Sequence, residues 1–269
     1  MIKIKCQRKD IEVFLLSAGH YYADAGAALG VLPYKLWKDK IEYDEFLRVK
    51  IGLNCLLIKS DSKNILVDCG IGDYISDRQR KIYNPSESNL LNDLSVNINN
   101  DDIDTVILTH LHFDHAGGIL NKEKELLFNK ARYIIQEKEW AVALKPDSLN
   151  AAAYPLMEHY SALENSGLIY LINGDYEIVK DVHVLKIDGH SPGMQIIKII
   201  DNNQVIYFAS DAFPIKEHLT PSITSSYDLS RKDLHKNKEN IINDLKKHGG
   251  KLVFSHEIEN PVLDFNCSL

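Results

Sequence analysis

Six residues, His110-Leu111-His112-Phe113-Asp114-His115, place three imidazoles and a carboxylate directly after the apolar run Thr105-Val106-Ile107-Leu108-Thr109. The run suits a buried strand. Its period of two would put His110 and His112 on one face as the strand ends, with Asp114 and His115 on the turn that follows. Neutral imidazole and carboxylate suit zinc and neighbouring divalent metals, and two donor groups from one short segment point to two ions sharing a site. Such spacing is far more specific than the competing reading, a histidine-rich surface turn.

Two ions need more donors than these four residues. Three later positions have the right character, each where an apolar run gives way to a turn: His190 in Asp188-Gly189-His190-Ser191, Asp211 in Ala209-Ser210-Asp211-Ala212, and His256 in Phe254-Ser255-His256-Glu257. Singly, each reads more readily as a capped or surface residue. The joint pattern is what marks them as metal donors.

Short β-like runs at Ile11 to Leu16, Gly52 to Lys59 and Asn64 to Val67 predict a meander of antiparallel strands in the first part of the chain. Between the first two runs, residues 21–40 open with Ala23-Asp24-Ala25-Gly26-Ala27-Ala28-Leu29-Gly30 and continue to Trp37 without clear periodicity. A stretch of that length is a candidate active-site loop, with a plain surface excursion as the alternative. Helices are expected at Glu87 to Leu94 and Glu137 to Leu144, and a strand at Ala131 to Ile135. The second half offers strands at Val182 to Ile187, Met194 to Ile200 and Gln204 to Phe208, a helix from about Leu229 to His248 stopped by Gly249-Gly250, and a last strand at Leu252-Val253-Phe254. No low-complexity linker divides the chain. Two β-rich halves, each with helices, predict an α+β fold in which two sheets pack face to face with helices outside, as one continuous domain over residues 1–269.

A formal net charge of -7 argues against a nucleic-acid-binding surface. The N-terminal Met1-Ile2-Lys3-Ile4-Lys5-Cys6 lacks the apolar core of a signal peptide, and no apolar run approaches the length of a membrane span, so a cytoplasmic protein without a membrane partner is expected. Cys6, Cys55, Cys69 and Cys267 form no C-x-x-C pair, which indicates neither a disulfide framework nor a zinc knuckle.

With its H-x-H-x-D-H run, a histidine after a glycine, an aspartate after a strand and a late histidine, all in order, the chain resembles the metallo-β-lactamase superfamily over nearly its whole length. The resemblance implies a four-layer αββα sandwich with a dinuclear site at one edge of the sheets. His110, His112 and His190 would hold one metal, Asp114, His115 and His256 the other, and Asp211 would bridge them. The ions would be two divalent metals, zinc first, with manganese, iron and cobalt open. Val67-Asp68-Cys69-Gly70 resembles the family's early aspartate turn, so that Asp68 would support a ligand histidine from behind. Residues Asp24 to Trp37 and the segment from Asp211-Ala212-Phe213-Pro214 through His218-Leu219 to Tyr227-Asp228-Leu229 look like the branch holding the YtnP-type quorum-quenching lactonases and, more distantly, methyl parathion hydrolase. Acyl-homoserine lactonases of the family place a tyrosine three residues after the bridging aspartate, where this chain has Pro214. His218 and Tyr227 are the candidates for a replacement polar group. A homodimer follows from the likeness alone.

The function implied is that of a metal-dependent hydrolase, in which hydroxide shared between the two metals attacks a carbonyl and the metals stabilise the oxyanion. Asp114 would be catalytic, orienting the nucleophile or returning a proton to the leaving alkoxide. Leu29, Trp37, Phe113 and Phe213 are candidates for an apolar pocket around a small-molecule lactone or ester, with acyl-homoserine lactones foremost. A phosphotriesterase or aryl esterase is the nearest alternative, and a glyoxalase-type thioesterase lacks a recognisable basic cluster for glutathione. Redox members of the family carry glutamate where this chain has His112.

Overall fold

In the computed structural model, which describes residues 1–60, 63–73, 75–96, 98–149 and 151–265, the chain lays down two sheets in succession. The first runs in chain order through β1 (Ile2–Ile4), β2 (Ile11–Asp24), β3 (Arg48–Ser60), β4 (Asn64–Val67), β5 (Thr105–Ile107), β6 (Arg132–Gln136) and β7 (Ile169–Ile172). The second comprises β8 (Tyr176–Val179), β9 (Val182–Lys186), β10 (Gln195–Asp201), β11 (Gln204–Phe208), β12 (Lys251–Val253) and β13 (Val262–Asp264), again in sequential order across the sheet. Pairing is antiparallel from β1 to β4 and parallel from β4 to β7, whereas β11–β12 is the parallel pair of the second sheet. Cys267 lies outside the described residues. No helix among the described residues is long and apolar enough to cross a membrane.

Alternating side chains divide these strands among three cores. Val13 and Leu15 of β2 enter a core shared by both sheets, with Leu56, Ile58, Val67 and Ile107 from the first and Val184, Ile197, Ile206 and Phe208 from the second. Their neighbours Phe14 and Leu16 turn the other way, into a core with Val106, Tyr133, Trp140, Tyr160 and Leu163. That outer core lies beneath α1 (Ala25–Leu29), α2 (Tyr34–Trp37), α3 (Asp77–Tyr83), α4 (Leu90–Ser95), α5 (Phe113–Ala116), α6 (Glu137–Leu144) and α7 (Met157–Ser166). On the far side, Val205, Tyr207 and Leu252 pack against Leu234, Ile241 and Leu245 of α8 (Arg231–His248). The four layers are therefore helix, sheet, sheet and helix, as the resemblance implies.

The register of β2 changes midway. A bulge between Ser17 and His20 breaks the pairing with β3, and Gly19 sits at φ 102°, a conformation in which a side chain would meet Ser86 Oγ at 2.4 Å. Ahead of the bulge Phe14, Leu16 and Ala18 face the outer core. Beyond it Tyr21 and Ala23 do, while His20 and Tyr22 are only partly buried. One extra residue thus brings the odd-numbered side chains inward.

Several boundaries differ from expectation. Residues 21–24 complete β2 rather than opening a loop, and the Asp24 carboxylate caps α1 by accepting from Ala27 N–H. The helix expected from Glu87 begins at Leu90, because Ser86 is engaged with His20: its Oγ accepts from His20 N–H and its own N–H bonds the His20 carbonyl. Strand β5 stops at Ile107, so His110 and His112 are carried on a loop instead of a strand face; the Thr109 N–H leaves the ladder for the Asp68 carboxylate. Asp114 and His115 sit on α5.

Helix α8 packs on the second sheet and also grips the segment that leads into it from β11. Ser230 caps its first turn, Gly249 in the left-handed region ends it, and each fully buried leucine contributes about 1.5–3 kcal/mol of burial. On the same helix Lys238 is fully buried, donating from Nζ to the Ile223 carbonyl at 2.7 Å and lying 5.5 Å from the centre of the Phe213 ring. Burial pushes its ammonium down from 10.5 to about 8. The folded chain therefore releases this proton before the unfolded chain does, and stability rises with pH from about 8 upward by as much as about 1.4 kcal/mol per pH unit. Lys238→Met should abolish that rise. Urea midpoints of both proteins between about pH 7.5 and 9.5 would show the difference growing in favour of wild type; a constant difference would mean that the folded lysine keeps its proton.

Candidate metal centre

Beyond Val67 the chain enters Asp68 at φ 58°, in the left-handed region that non-glycine residues seldom adopt. The turn aims its buried carboxylate at three donors: Thr109 N–H at 2.8 Å, Thr109 Oγ1 at 2.8 Å and His115 Nδ1 at 2.8 Å. Similar ties hold other rings. His190 Nδ1 bonds Asp228 Oδ1 at 2.8 Å, and His256 Nδ1 bonds the Gly52 carbonyl at 2.7 Å. Fixing one nitrogen of an imidazole sets its tautomer and aims the other as a lone pair.

The aimed atoms converge. Donor atoms of His110, His112 and His190 lie within 4.8 Å of one another, as do those of Asp114, His115 and His256, and those of His110, His115 and Asp211. Between the clusters, Asp211 Oδ1 is 3.2 Å from His115 Nε2 and 3.1 Å from His256 Nε2, while its Oδ2 is 3.4 Å from His190 Nε2. One carboxylate therefore has an oxygen toward each cluster. Among the described residues the buried Nε2 of His110 has no hydrogen-bond partner, and those of His115 and His256 face carboxylate oxygens, a costly state for a protein and the natural one for a metal donor. Burial first, and neighbouring imidazoles after it, hold His110 and His112 well below the ordinary histidine range and so in the neutral form that binds metals. Burial acts the same way on His115, but Asp211, Asp114 and Asp68 outweigh it and raise its pKa. Shape, donor chemistry and unsatisfied atoms all fit two divalent cations.

A buried carboxylate with no cationic partner among the described residues, Glu139 on α6, joins the loops beneath the site. It accepts from Leu111 N–H at 2.9 Å, Tyr154 Oη at 2.7 Å and Ser191 Oγ at 2.6 Å. The loop bearing His190 and the loop bearing His110 and His112 are thereby held to one helix. Gly193 lets them close up, since a Cβ there would lie 2.5 Å from the Glu139 nitrogen. On the opposite side Tyr21 donates to Asp114 Oδ2 at 2.7 Å, its ring edge-on to Phe113 and His256.

Above the clusters opens a cavity of about 300 Å³. Phe113, His218 and Tyr227 border it, together with Tyr21, Tyr83, Ile51, Ile215 and Leu229. Asp114, Asp211 and Asp228 add carboxylates, and no lysine or arginine is among the described lining residues. Leu29, Trp37 and Phe213, expected in the pocket, are packed into the cores instead: Leu29 and Trp37 beneath α1 and α2, and Phe213 under Lys238. Nearness in sequence to the site did not set the face to which these side chains turn. His218 borders the cavity with its ring, yet both nitrogens are sealed from solvent. Pro214 borders the cavity without a polar side chain, and its carbonyl accepts from His256 N–H at 2.8 Å.

Sequence reasoning missed Tyr21, Glu139 and the tie from Asp228 to His190. Asp228 was visible within the Tyr227-Asp228-Leu229 segment, whereas Tyr21 depends on the bulge and Glu139 looks like any helical glutamate.

A family model for the metallo-beta-lactamase superfamily matches residues 51–256. The chain is 27% identical over 223 residues to N-acyl homoserine lactonase AiiA of Bacillus thuringiensis subsp. kurstaki, covering 76% of this chain and 81% of the relative. Among solved structures it resembles one from Staphylococcus aureus described as a "probable metal-dependent hydrolase", with a TM-score of 0.90, 26% identity and coverage of 97% and 94%. It also resembles AidC, a dizinc quorum-quenching lactonase in complex with a product, with a TM-score of 0.78, 20% identity and coverage of 97% and 92%, a likeness of fold.

Removing the partner of His190 tests this architecture. Asp228→Ala should weaken one of two bound divalent ions by about 10- to 100-fold while sparing the other, as read by competition with a chromophoric chelator. Equal weakening of both, or of neither, would dissociate Asp228 from the cluster of His110, His112 and His190.

Proposed function

Because the chain belongs to the metallo-beta-lactamase superfamily, we propose that it is a metal-dependent hydrolase that opens a neutral lactone or carboxylic ester, with acyl-homoserine lactones as the foremost substrates. The observation that carries this reading is a full set of seven converging donors beneath a largely apolar cavity with no lysine or arginine among its described lining residues. A substrate bearing carboxylates or phosphates would meet the carboxylates of Asp114, Asp211 and Asp228 along that wall, with no lysine or arginine among its described residues to offset them. A glutathione thioester is disfavoured on the same ground. The lactone class is supported by the relative AiiA and by the product-bound AidC, whose fold this chain shares.

In this reading His110, His112 and His190 hold one cation, Asp114, His115 and His256 the other, and Asp211 reaches both. Zinc is our first choice, with manganese, iron or cobalt compatible with the same donors. Two such ions, when bound, lower the pKa of water and polarise a carbonyl oxygen. The protein's part is placement. Asp68, Asp228 and the Gly52 carbonyl keep three rings from turning. Phe113 and Tyr83, stacked with centroids 4.8 Å apart, form an aromatic part of the cavity wall. Asp114 borders the cavity and is the carboxylate placed to carry a proton to the departing alkoxide.

Pro214 cannot supply the phenol that acyl-homoserine lactonases have at that position, and the sealed nitrogens of His218 do not reach into the cavity. Tyr227 stands half-exposed at the mouth. The polar contact to a substrate carbonyl from this side is therefore assigned to Tyr227.

The test loads purified protein with zinc, manganese or cobalt and assays acyl-homoserine lactones beside an aryl ester and paraoxon. Lactone opening that is lost with a chelator and restored by metal is the expected result; a marked preference for paraoxon would move the protein to phosphotriester chemistry. Asp211→Asn should lower the content of both ions and reduce turnover by at least about 100-fold. Two ions retained at full activity would remove the bridging role.

A further inference from the structure

The phenol of Tyr21 is the group on this chain that holds Asp114 in place. Its hydroxyl donates to Asp114 Oδ2 at 2.7 Å, and the side chain is buried at the cavity wall. Oδ2 is also the oxygen turned toward the second cluster, 3.7 Å from His256 Nε2 and 3.9 Å from His115 Nε2. Asp114 Oδ1 has no hydrogen-bond partner among the described residues. The hydroxyl thus holds Oδ2 on the side of the second cluster, and Oδ1 is left for the reacting groups.

Nothing in the local sequence of the metal motif provides this contact. It comes from β2, 93 residues earlier in the chain, and depends on the bulge at Gly19 that turns Tyr21 rather than His20 or Tyr22 toward the site. The ring is fixed independently of the hydroxyl by edge contacts to Tyr83, Phe113 and His256. A phenol built into a rigid aromatic cluster and aimed at one carboxylate oxygen suits control of direction better than mere filling of space.

We propose that Tyr21 is a positioning residue for proton return in ester or lactone hydrolysis, acting through Asp114 and never touching the substrate. The proposal rests on the hydrolase reading above. The oxygen of water adds to the carbonyl carbon, and the C=O π pair moves onto the carbonyl oxygen. When that pair returns, the bond from carbon to the alkoxy oxygen breaks and its electrons stay on that oxygen. The proton carried in by the attacking water passes by way of Asp114 Oδ1 to the alkoxy oxygen, so one water is consumed and an acid and an alcohol result. A freely turning Asp114 would present Oδ1 to the alkoxy oxygen only part of the time, and that matters only where the leaving group needs the proton.

Tyr21→Phe keeps the ring and removes the hydroxyl. The experiment compares kcat of variant and wild type over a series of esters whose leaving groups run from nitrophenolate through phenolate to alkoxide, and over a lactone, with bound metal and thermal midpoint measured on the same samples. Turnover of the lactone and alkyl ester should fall by about 10- to 100-fold, and the nitrophenyl ester by less than about threefold, at unchanged metal content. The dependence of rate on leaving group thus steepens. An equal loss across the series, a loss that follows metal content, or no loss at all would each overturn the role. If wild type opens no ester or lactone in any metal form, the hydrolase reading itself falls and takes this inference with it.

Discussion

The Asp68 carboxylate is the interaction from which the rest of the site is hung. Its own N–H bonds the Ile107 carbonyl, and its oxygens take Thr109 and His115, so a single turn joins the ends of β4 and β5 to α5. Thr109 Oγ1 in turn accepts from Ser210 Oγ at 2.8 Å, which lies beyond β11 in the other sheet. Ser255 Oγ donates to the Ser210 carbonyl and to Asp211 Oδ1. A polar seam therefore crosses from one sheet to the other at the edge where the apolar core between them ends. Hydrophobic burial sets the sheets face to face, but it has no direction within the plane; the seam fixes the relative placement of loops from opposite halves to within hydrogen-bond tolerance.

Such a seam explains why the donors are recognisable from the order of residues alone. His110 to His115 are contiguous, and His190, Asp211 and His256 each follow an apolar run, so their common location at one edge of the sandwich is a property of strand direction. The layer order was legible for the same reason, since Val13 and Leu15 alternate with Phe14 and Leu16 in a pattern that requires two faces to be covered. The pocket was not legible. Phe113 and Phe213 look alike in sequence, yet one borders the cavity and the other packs under a buried lysine, a difference decided by the path of the segment between β11 and α8. Tyr21 was hidden for a further reason: counting by twos along β2 gives the wrong face once the bulge is passed.

Charge is distributed unevenly around the reaction space. Three carboxylates and four histidines border a cavity with no lysine or arginine among its described lining residues. Alone, the carboxylates would repel one another and any electron-rich substrate, so the protein supplies a negative frame that is complete only with cations inside it. Binding of the ions and admission of an uncharged substrate are two aspects of the same electrostatic arrangement. The apolar wall adds to this by keeping the dielectric low where charge develops.

Strand β2 changes occupation halfway along. Its first half cements the two sheets and its second half furnishes the chamber, with the changeover at Gly19. Which of its side chains meets Asp114 is consequently a matter of counting rather than of chemistry: the phase of the strand, and not the identity of any one residue, selects Tyr21 over its neighbours. Gain or loss of a single residue in a strand is ordinarily ruinous, because it turns a buried face to water. Beyond the bulge the same event would exchange the phenol for an imidazole or for another tyrosine while the sheets stayed cemented upstream. Divergence in this part of the molecule can therefore proceed by a shift of frame within the folded chain, a route to new active-site groups that leaves every metal donor untouched.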